Sequence, residues 1–398
     1  MVGRSLPARP VLKYYLFMAT NTAALSVPIW VVFLRSRGLS FTEIVVLDAI
    51  WWLGIIGGEV PTGYLADRIG WRESLLAGNL VRTVGVVAMG LSNTFPALVG
   101  VYLLWALGST MQSGSADAWL YEVLDERIGT EAFTRVRGRG NALTLLVGAL
   151  ASVTGGYVAA QGLRLPFYVN GALWLVGTAV LATFPAVTVD PGDRVSPAEA
   201  LPLLRERLLS GDLRRFVLWV GVVLGGAQGV ARLTQPVSVD LGIPIAGLGW
   251  LYALFTVLAA VASARAEWIR DRIGVDGWFL LAPAVLGTLF VGAWAVPLVA
   301  LPGFVALRAV KATTTPLANG YVNDRIGTAG RATVLSGVSM VYSLVKIPFS
   351  LLGGALADAS APLVAIGALG ALLLAATALV HRRGSPIATD EPGATPAD

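Results

Sequence analysis

The chain has 398 residues, 56% of them hydrophobic and only 13% charged, about half the ~25% charge content of soluble domains. A mean hydropathy of +0.72 along the whole length excludes an ordinary soluble enzyme, a disordered chain and a nucleic-acid-binding domain, and points to the lipid bilayer as solvent. Cysteine is absent, so disulfides and thiolate metal sites are excluded, and the net charge of +5 has to be explained by where the basic residues lie.

Apolar runs bounded by charge, Gly and Pro predict twelve membrane-spanning helices of roughly 20 residues each, unbroken enough to disfavour a β-barrel. Span one (11–34) follows Arg4, Arg9 and Lys13. It is too long for a signal-peptide core and reads as an uncleaved helix, carrying Tyr14 and Asn21. Span two (41–65) places Asp48 and Glu59 three helical turns apart on one face, with Trp52 between them in sequence. Its Gly54 and Gly58 have the four-residue spacing that lets helices approach closely in lipid. Span three (74–92) carries Arg82; span four (96–121) carries Gln112 and, near its inner end, Asp117. Spans five and six cover 140–160 and 167–185.

The polar stretch 186–214 divides the chain. Asp190-Pro191-Gly192-Asp193 reads as a turn, and Ser196, Pro197 and Glu199 as the cap and first turn of a short helix. Leu201, Leu204 and Leu208 share one face of it. The expected organisation is an N-terminal six-helix bundle (1–185), a cytoplasmic linker with this amphipathic helix (186–214), a C-terminal six-helix bundle (215–381) and a disordered tail (382–398).

Span seven (215–236) carries Gln228, Arg232 and Gln235 on one face and Gly221, Gly225 and Gly229 at four-residue spacing. Spans eight (246–264) and nine (277–296) follow. Span ten (298–320) aligns Arg308, Lys311, Thr315 and Asn319; span eleven (332–357) aligns Ser339, Ser343, Lys346 and Ser350; span twelve covers 361–380. Ionisable groups inside a span are costly and face a bundle interior or a wet path. The candidate substrate-binding residues are therefore Asn21, Gln112, Gln228, Arg232, Arg308, Lys311 and Lys346, with Trp52 and Tyr342 as aromatic walls.

Two roles stay open for the deep basic residues: pairing with Asp48, Glu59 or Asp240, or attraction of an anionic group on a substrate. A carboxyl that is alternately desolvated and hydrated can bind and release a proton. Asp48, Glu59 and Asp117 are the candidates, Asp48 first because it lies deepest; Glu59, Arg82 and Asp117 also read as a structural cluster. The single histidine, His381, is at the start of the tail, and H-E-x-x-H, G-x-S-x-G and phosphate-loop patterns are missing. Catalysis, a metal or a cofactor is not expected.

With the N-terminus cytoplasmic, twenty-one of the 29 basic residues lie on inside segments and three (Arg35, Arg37, Arg164) outside. That bias orients both termini inwards and makes the excess charge a topology signal rather than a nucleic-acid footprint. Asp67-Arg68-Ile69-Gly70 recurs as Asp271-Arg272-Ile273-Gly274, an offset of 204. Arg127-Ile128-Gly129-Thr130 recurs as Arg325-Ile326-Gly327-Thr328, and Gly155-Gly156 as Gly353-Gly354, both at 198. The three ordered matches predict that six spans are repeated by the next six in the same orientation, the arrangement in which transporters bind substrate between the halves.

Gly63-Tyr64-Leu65-Ala66-Asp67-Arg68-Ile69-Gly70-Trp71-Arg72, between spans two and three, resembles the signature loop of the major facilitator superfamily, with Trp71 at the first of two usually basic positions. Glu59-Val60-Pro61-Thr62-Gly63 and Ser113-Gly114-Ser115-Ala116-Asp117-Ala118-Trp119-Leu120-Tyr121 resemble a prokaryotic efflux-type subgroup. Ala151-Ser152-Val153-Thr154-Gly155-Gly156 keeps only the glycine pair of the antiporter pattern. The resemblance implies an all-α fold of two six-helix halves related by pseudo-two-fold symmetry, and a monomer in a prokaryotic cytoplasmic membrane. It implies proton-coupled export of a small amphipathic or anionic solute by alternating access, with uptake of an anionic metabolite by a symporter or facilitator as the alternative. A non-transporting receptor or scaffold is the reading from another class. The resemblance also makes Gly63, Asp67, Arg68, Gly70 and Arg72 a conformational latch, with Asp271 and Arg272 its second copy.

Overall fold

The computed structural model describes residues 9–113, 115–127, 129–185, 211–326, 331–382 and 384. The helix expected around Ser196 and the tail beyond Gly384 lie outside the described residues. Everything regular among those residues is helical. In chain order the α-helices are α1 (Arg9–Thr20), α2 (Trp30–Ser36), α3 (Phe41–Ile69), α4 (Trp71–Leu91), α5 (Phe95–Gln112), α6 (Ser115–Arg127), α7 (Phe133–Gln161), α8 (Leu165–Ala182), α9 (Gly211–Ala231), α10 (Thr234–Asp240), α11 (Ile245–Ala264), α12 (Ala266–Ala295), α13 (Ala300–Arg325), α14 (Arg331–Ala359) and α15 (Pro362–Arg382).

Among the described residues, ten helical segments are long and apolar enough to cross a membrane. The two predicted spans missing from that set have clear physical reasons. Span one is broken between α1 and α2, and α13 carries Arg308 and Lys311 in its apolar stretch. Spans four and seven are also interrupted, after Gln112 and after Ala231. The local signals for the ends are ordinary. Ser40 caps α3, its hydroxyl accepting from the Glu43 amide at 3.0 Å while the Glu43 carboxylate accepts from the Ser40 amide at 2.8 Å, a reciprocal capping box.

The backbone repeats as the tetrapeptide matches imply. At the offset of 204, α2 maps onto α10, Phe41 at the start of α3 onto Ile245 at the start of α11, and Leu91 at the end of α4 onto Ala295 at the end of α12. At 198, α7 maps onto α14 end to end. The change of offset falls where broken α5–α6 corresponds to the shorter, continuous α13. Two pairs of glycines repeat in the left-handed region: Gly38 (φ 83°) with Gly242 (φ 91°), and Gly70 (φ 98°) with Gly274 (φ 72°). Any other residue would be strained there.

Contacts divide the chain into two compact units, Met1–Asp193 with Ser238–Val257, and Arg194–Val237 with Leu258–Asp398. The cut at 193/194 falls inside the predicted linker, whereas Ser238–Val257 groups with the first unit and not with the rest of 215–381. Within the first unit α4 packs on α5 and α8, and α1 on α7 and α8. Within the second, α12 packs on α13 and α15, and α9 on α14 and α15, the same pairs by position.

Small residues make these contacts possible, since lipid supplies no hydrophobic force between helices. A Cβ on Gly54 would meet the Ala106 Cβ at 2.8 Å, so this glycine seats α3 against α5; Gly225 does the same for α9 against the Phe349 ring of α14. The first unit's apolar cluster gathers Tyr14, Phe17, Leu75, Trp119 and Phe184, with Trp119 stacked on Phe184 at 3.9 Å. The second gathers Phe216, Phe279, Tyr321, Val338 and Tyr342.

Candidate functional site

In the second unit the basic stripes converge. Lys311 on α13 donates from Nζ to the Gln228 Oε1 of α9 at 2.7 Å. Arg308 one turn before it, Arg232 just past α9 and Lys346 on α14 are near enough for their charges to act on Lys311. Among the described residues Lys311 meets no carboxylate. Helical spacing explains why Arg308 and Lys311 share a face; the α9–α13 and α13–α14 contacts bring Gln228 and Lys346 to it. Gln235, also expected on this face, is buried, and Trp278 Nε1 donates to Thr314 Oγ1, one turn past Lys311, at 3.1 Å. Lys311 is thus held by a neutral amide, with three further basic side chains within electrostatic range of it.

In the first unit the polar interior centres on Arg82 of α4. Its guanidinium donates to Asn21 Oδ1 at 2.7 Å and to Gln112 Oε1, and lies over the Trp174 ring at 4.3 Å. Gln112 Nε2 in turn donates to Asn79 Oδ1 at 3.0 Å, and Asn79 Nδ2 to the Trp174 carbonyl and Thr178 Oγ1 at 2.8 and 2.9 Å. Arg82 reaches across because α4 and α5 touch backbone to backbone. A Cβ on Gly78 would lie 2.8 Å from the Gly108 carbonyl oxygen, and one on Gly108 2.7 Å from that of Gly78. The same network braces the break in span one. Asn170 Nδ2 and Trp174 Nε1 each donate to the Thr22 carbonyl at 3.0 Å, satisfying a carbonyl that a continuous helix would have bonded internally.

Asn21 and Gln112, expected as polar contacts opposite the basic residues, are thus the two acceptors of Arg82. Asp48 is buried on α3 at 8% exposure; Trp52 follows it one turn on, edge-to-face with Trp51 at 4.7 Å. The expected grouping of Glu59, Arg82 and Asp117 does not form. Glu59 is exposed, Arg82 is held by amides, and Asp117 pairs with Arg137 at 2.7 Å on a half-exposed surface. Tyr342 is 3% exposed inside the apolar cluster of the second unit. Its hydroxyl makes no hydrogen bond among the described residues. It is enclosed by packing and does not line an open wall. Asn79, Trp174, Thr178 and Asn170 were not singled out from sequence; a lone polar residue at each position carries no periodic signal.

The signature loop is built as a helix stop. Gly70 ends α3, its amide donating to the Ala66 carbonyl at 2.9 Å, and a Cβ there would lie 2.6 Å from Glu73 Oε2. Arg72 donates to the Ala182 carbonyl at the end of α8 at 2.6 Å and pairs with Glu73 at 2.8 Å, placing a cation at a helix C-terminus. Arg68 lies over the Tyr64 ring at 4.5 Å, and in the second copy Arg272 lies over Trp268 at 5.9 Å. Gly63 has open space where a Cβ would go; Asp67 is partly buried, and Asp271 accepts from Arg270 at 3.2 Å. Among the described residues no group of three His, Cys, Asp or Glu is placed to hold a metal ion.

The family model described as Major Facilitator Superfamily matches residues 14–234. The chain is similar to an uncharacterized MFS-type transporter, YxaM of Bacillus subtilis, at 25% identity over 62% of this chain and 63% of that one. It is likewise similar to the enterobactin exporter EntS of Citrobacter koseri, at 25% identity over 63% of this chain and 60% of that one. It therefore spans less than two thirds of the length of these curated relatives. Among solved structures, the nucleoside transporter NupG superposes with a TM-score of 0.75 over 94% of this chain and 96% of that one, at 11% identity, which speaks for the fold alone.

Proposed function

The chain belongs to the major facilitator superfamily, and we propose that within it this protein is a secondary active transporter exporting a small amphipathic or anionic solute by alternating access. The observation that carries the anion preference is Lys311, held by the neutral Gln228 amide among Arg232, Arg308 and Lys346. In this reading those residues attract the substrate's negative group. Within the first half, the Arg82–Asn21–Gln112 network and Trp52 are the proposed polar and aromatic substrate contacts.

Export is favoured by the likeness to EntS, named an exporter, and by the efflux-type sequence around Glu59 and Asp117. Proton coupling is assigned to Asp48, the buried carboxyl of span two; Glu59 and Asp117 are exposed or ion-paired and rank behind it. The proposed organisation is two six-helix bundles joined by the 186–214 linker, and the Asp67 loop and its second copy at Asp271 act as the latch. The protein works as a monomer in a prokaryotic cytoplasmic membrane with both termini inside, as the charge bias indicates. The departure at Ala151–Gly156 from the antiporter pattern favours, as a second reading, an uptake symporter or facilitator for an anionic metabolite.

The test is transport by purified protein in proteoliposomes, with pH gradients of either sign and a panel of anionic, zwitterionic and cationic compounds. Outward anion flux driven by an inward proton gradient, and weakened in Lys346→Gln and Arg308→Gln variants, is the expected result. Flux confined to cations refutes the substrate class, and flux indifferent to the gradient refutes the coupling.

A further inference from the structure

Two of the three basic residues that the charge bias places on the outer side converge on one neutral acceptor. Arg37, just past α2, donates from Nη1 to Asn93 Oδ1 at 2.5 Å. Arg164, which precedes α8, donates from Nη2 to the same oxygen at 3.3 Å. Three separate connections meet here: α2–α3, α4–α5 and α7–α8. Arg37 is set by its stacking over the Phe33 ring at 4.7 Å. Its Nε–H is buried without a hydrogen-bond partner among the described residues. Neither arginine forms an ion pair among those residues.

Such an arrangement is unfavourable as a staple. A single amide oxygen neutralises no charge, and the two guanidinium groups repel. Burial and then the Arg164 charge lower the Arg37 pKa below its ordinary value, with Tyr168 opposing; the group remains a cation in a positive field. Two helix N-termini add to that field. Thr94, next to Asn93, is the N-cap of α5, and Arg164 is the N-cap of α8; neither end has a side-chain cap bond. Helix N-termini favour anions within their first turn. The surroundings are apolar and open: Leu91 is 60% exposed, Leu165 39% and Val169 42%. Charged donors at the edge of a lipid-facing apolar surface match a headgroup whose acyl chains run down that surface.

We propose that Arg37, Asn93 and Arg164 form a binding site for the phosphodiester of a phospholipid in the outer leaflet. The phosphate oxygens accept from both guanidinium groups, a charge-assisted geometry arginine is shaped for, and the acyl chains lie along Leu91, Leu165 and Val169. The site is independent of the transport reading and of the substrate.

The test uses full-length detergent-purified protein titrated with short-chain phosphatidylglycerol, followed by native mass spectrometry. Three comparisons decide it: diacylglycerol with the same chains, free glycerol phosphate, and the variants Arg37→Gln/Arg164→Gln, Arg164→Gln alone and Arg35→Gln. Arg35 is the third outer arginine and bonds the Leu39 carbonyl at 2.6 Å instead. The expected result is that the double variant binds phosphatidylglycerol about tenfold more weakly, the loss of ~1.4 kcal/mol. The exposed single change Arg164→Gln gives a smaller loss in the same direction, which keeps the test open if the double variant does not fold. Arg35→Gln binds as the parent does. Equal binding by Arg164→Gln and the parent overturns the proposal. So does diacylglycerol binding as tightly as phosphatidylglycerol, or glycerol phosphate doing so, the last of which would mark a site for free anions.

Discussion

Gly155 gives the sharpest test of how the first unit is built. It lies on α7 opposite the break in span one, and a Cβ at that position would sit 2.7 Å from the Leu25 carbonyl carbon and 2.8 Å from its Cα, with the carbonyl oxygen nearer still. Every atom it meets is backbone, which cannot swing aside as a side chain does. Leu25 cannot easily retreat either. Its segment is tied from the other side by Asn170 and Trp174 at the Thr22 carbonyl. Overpacking of this kind costs about 1–3 kcal/mol, against which a helical Gly→Ala change returns up to ~1 kcal/mol. With every contact to backbone the cost falls at the top of that range, so Gly155→Ala is expected to destabilise the protein by ~2 kcal/mol.

The positional repeat, Gly353 on α14, is looser. Its Cβ would lie 3.0 Å from the Gly229 carbonyl oxygen and 3.2 Å from Leu369 Cδ1, so Gly353→Ala should cost no more than ~1 kcal/mol. Gly138, also on α7, has nothing within 4 Å, and its Ala variant should be neutral or up to ~1 kcal/mol more stable. Denaturant unfolding of the three variants in detergent, followed by tryptophan fluorescence, ranks them. Should Gly155→Ala unfold where Gly138→Ala does, the close approach of α7 to the Leu25 backbone is wrong.

Three further predictions concern transport. Lys311→Gln should leave expression and unfolding close to those of the parent yet raise KM for a transported anion about tenfold, ~1.4 kcal/mol; an unchanged KM removes Lys311 from the site. Asp48→Asn should abolish gradient-driven flux while exchange without a gradient persists, whereas Asp117→Asn should spare both and cost at most ~1 kcal/mol, because its pair with Arg137 is half exposed. Identical behaviour of those two variants in the flux assay contradicts the assignment of coupling to Asp48. Asp67→Asn should collapse transport with membrane insertion intact, measured as flux per inserted molecule, and persistent flux ends its role as a latch.

What could be seen in the sequence follows the range of the interactions. Apolar runs, the Ser40 cap and the Gly70 stop are local, and each leaves a mark within a few residues. The aromatic–arginine pairs Tyr64–Arg68 and Trp268–Arg272 lie one turn apart and were also open to inspection. The basic stripes of α13 and α14 were legible because each lies on one helix face, whereas the stripe expected on span seven is split: Gln228 is on α9, Arg232 past its end and Gln235 on α10. The break in span one was missed although Pro28 stands in the short 3-10 turn where the chain restarts, since hydropathy runs smoothly across it. The partners of Arg82 were beyond reach in another sense. Asn21 and Gln112 are 61 and 30 residues away, and helix packing, including the close Gly78–Gly108 approach of α4 to α5, brings them to the guanidinium.

The two halves share a backbone but not a chemistry. At the offset of 204, Arg82 corresponds to Leu286, Asn21 to Gly225 and Asp48 to Tyr252; in the other direction Gln228 corresponds to Ala24, Arg232 to Pro28 and Arg308 to Leu104. At 198, Lys346 corresponds to Gly148. What repeats is what a rigid bundle requires: the positive-φ glycines, the break before the seven-residue helices α2 and α10, and the helix pairs that pack. The polar side chains are free of that constraint, since a group facing a wet interior can change without disturbing lipid-facing or helix-packing surfaces. The amide-held arginine and the buried carboxyl therefore fall to one half and the cluster of basic residues to the other.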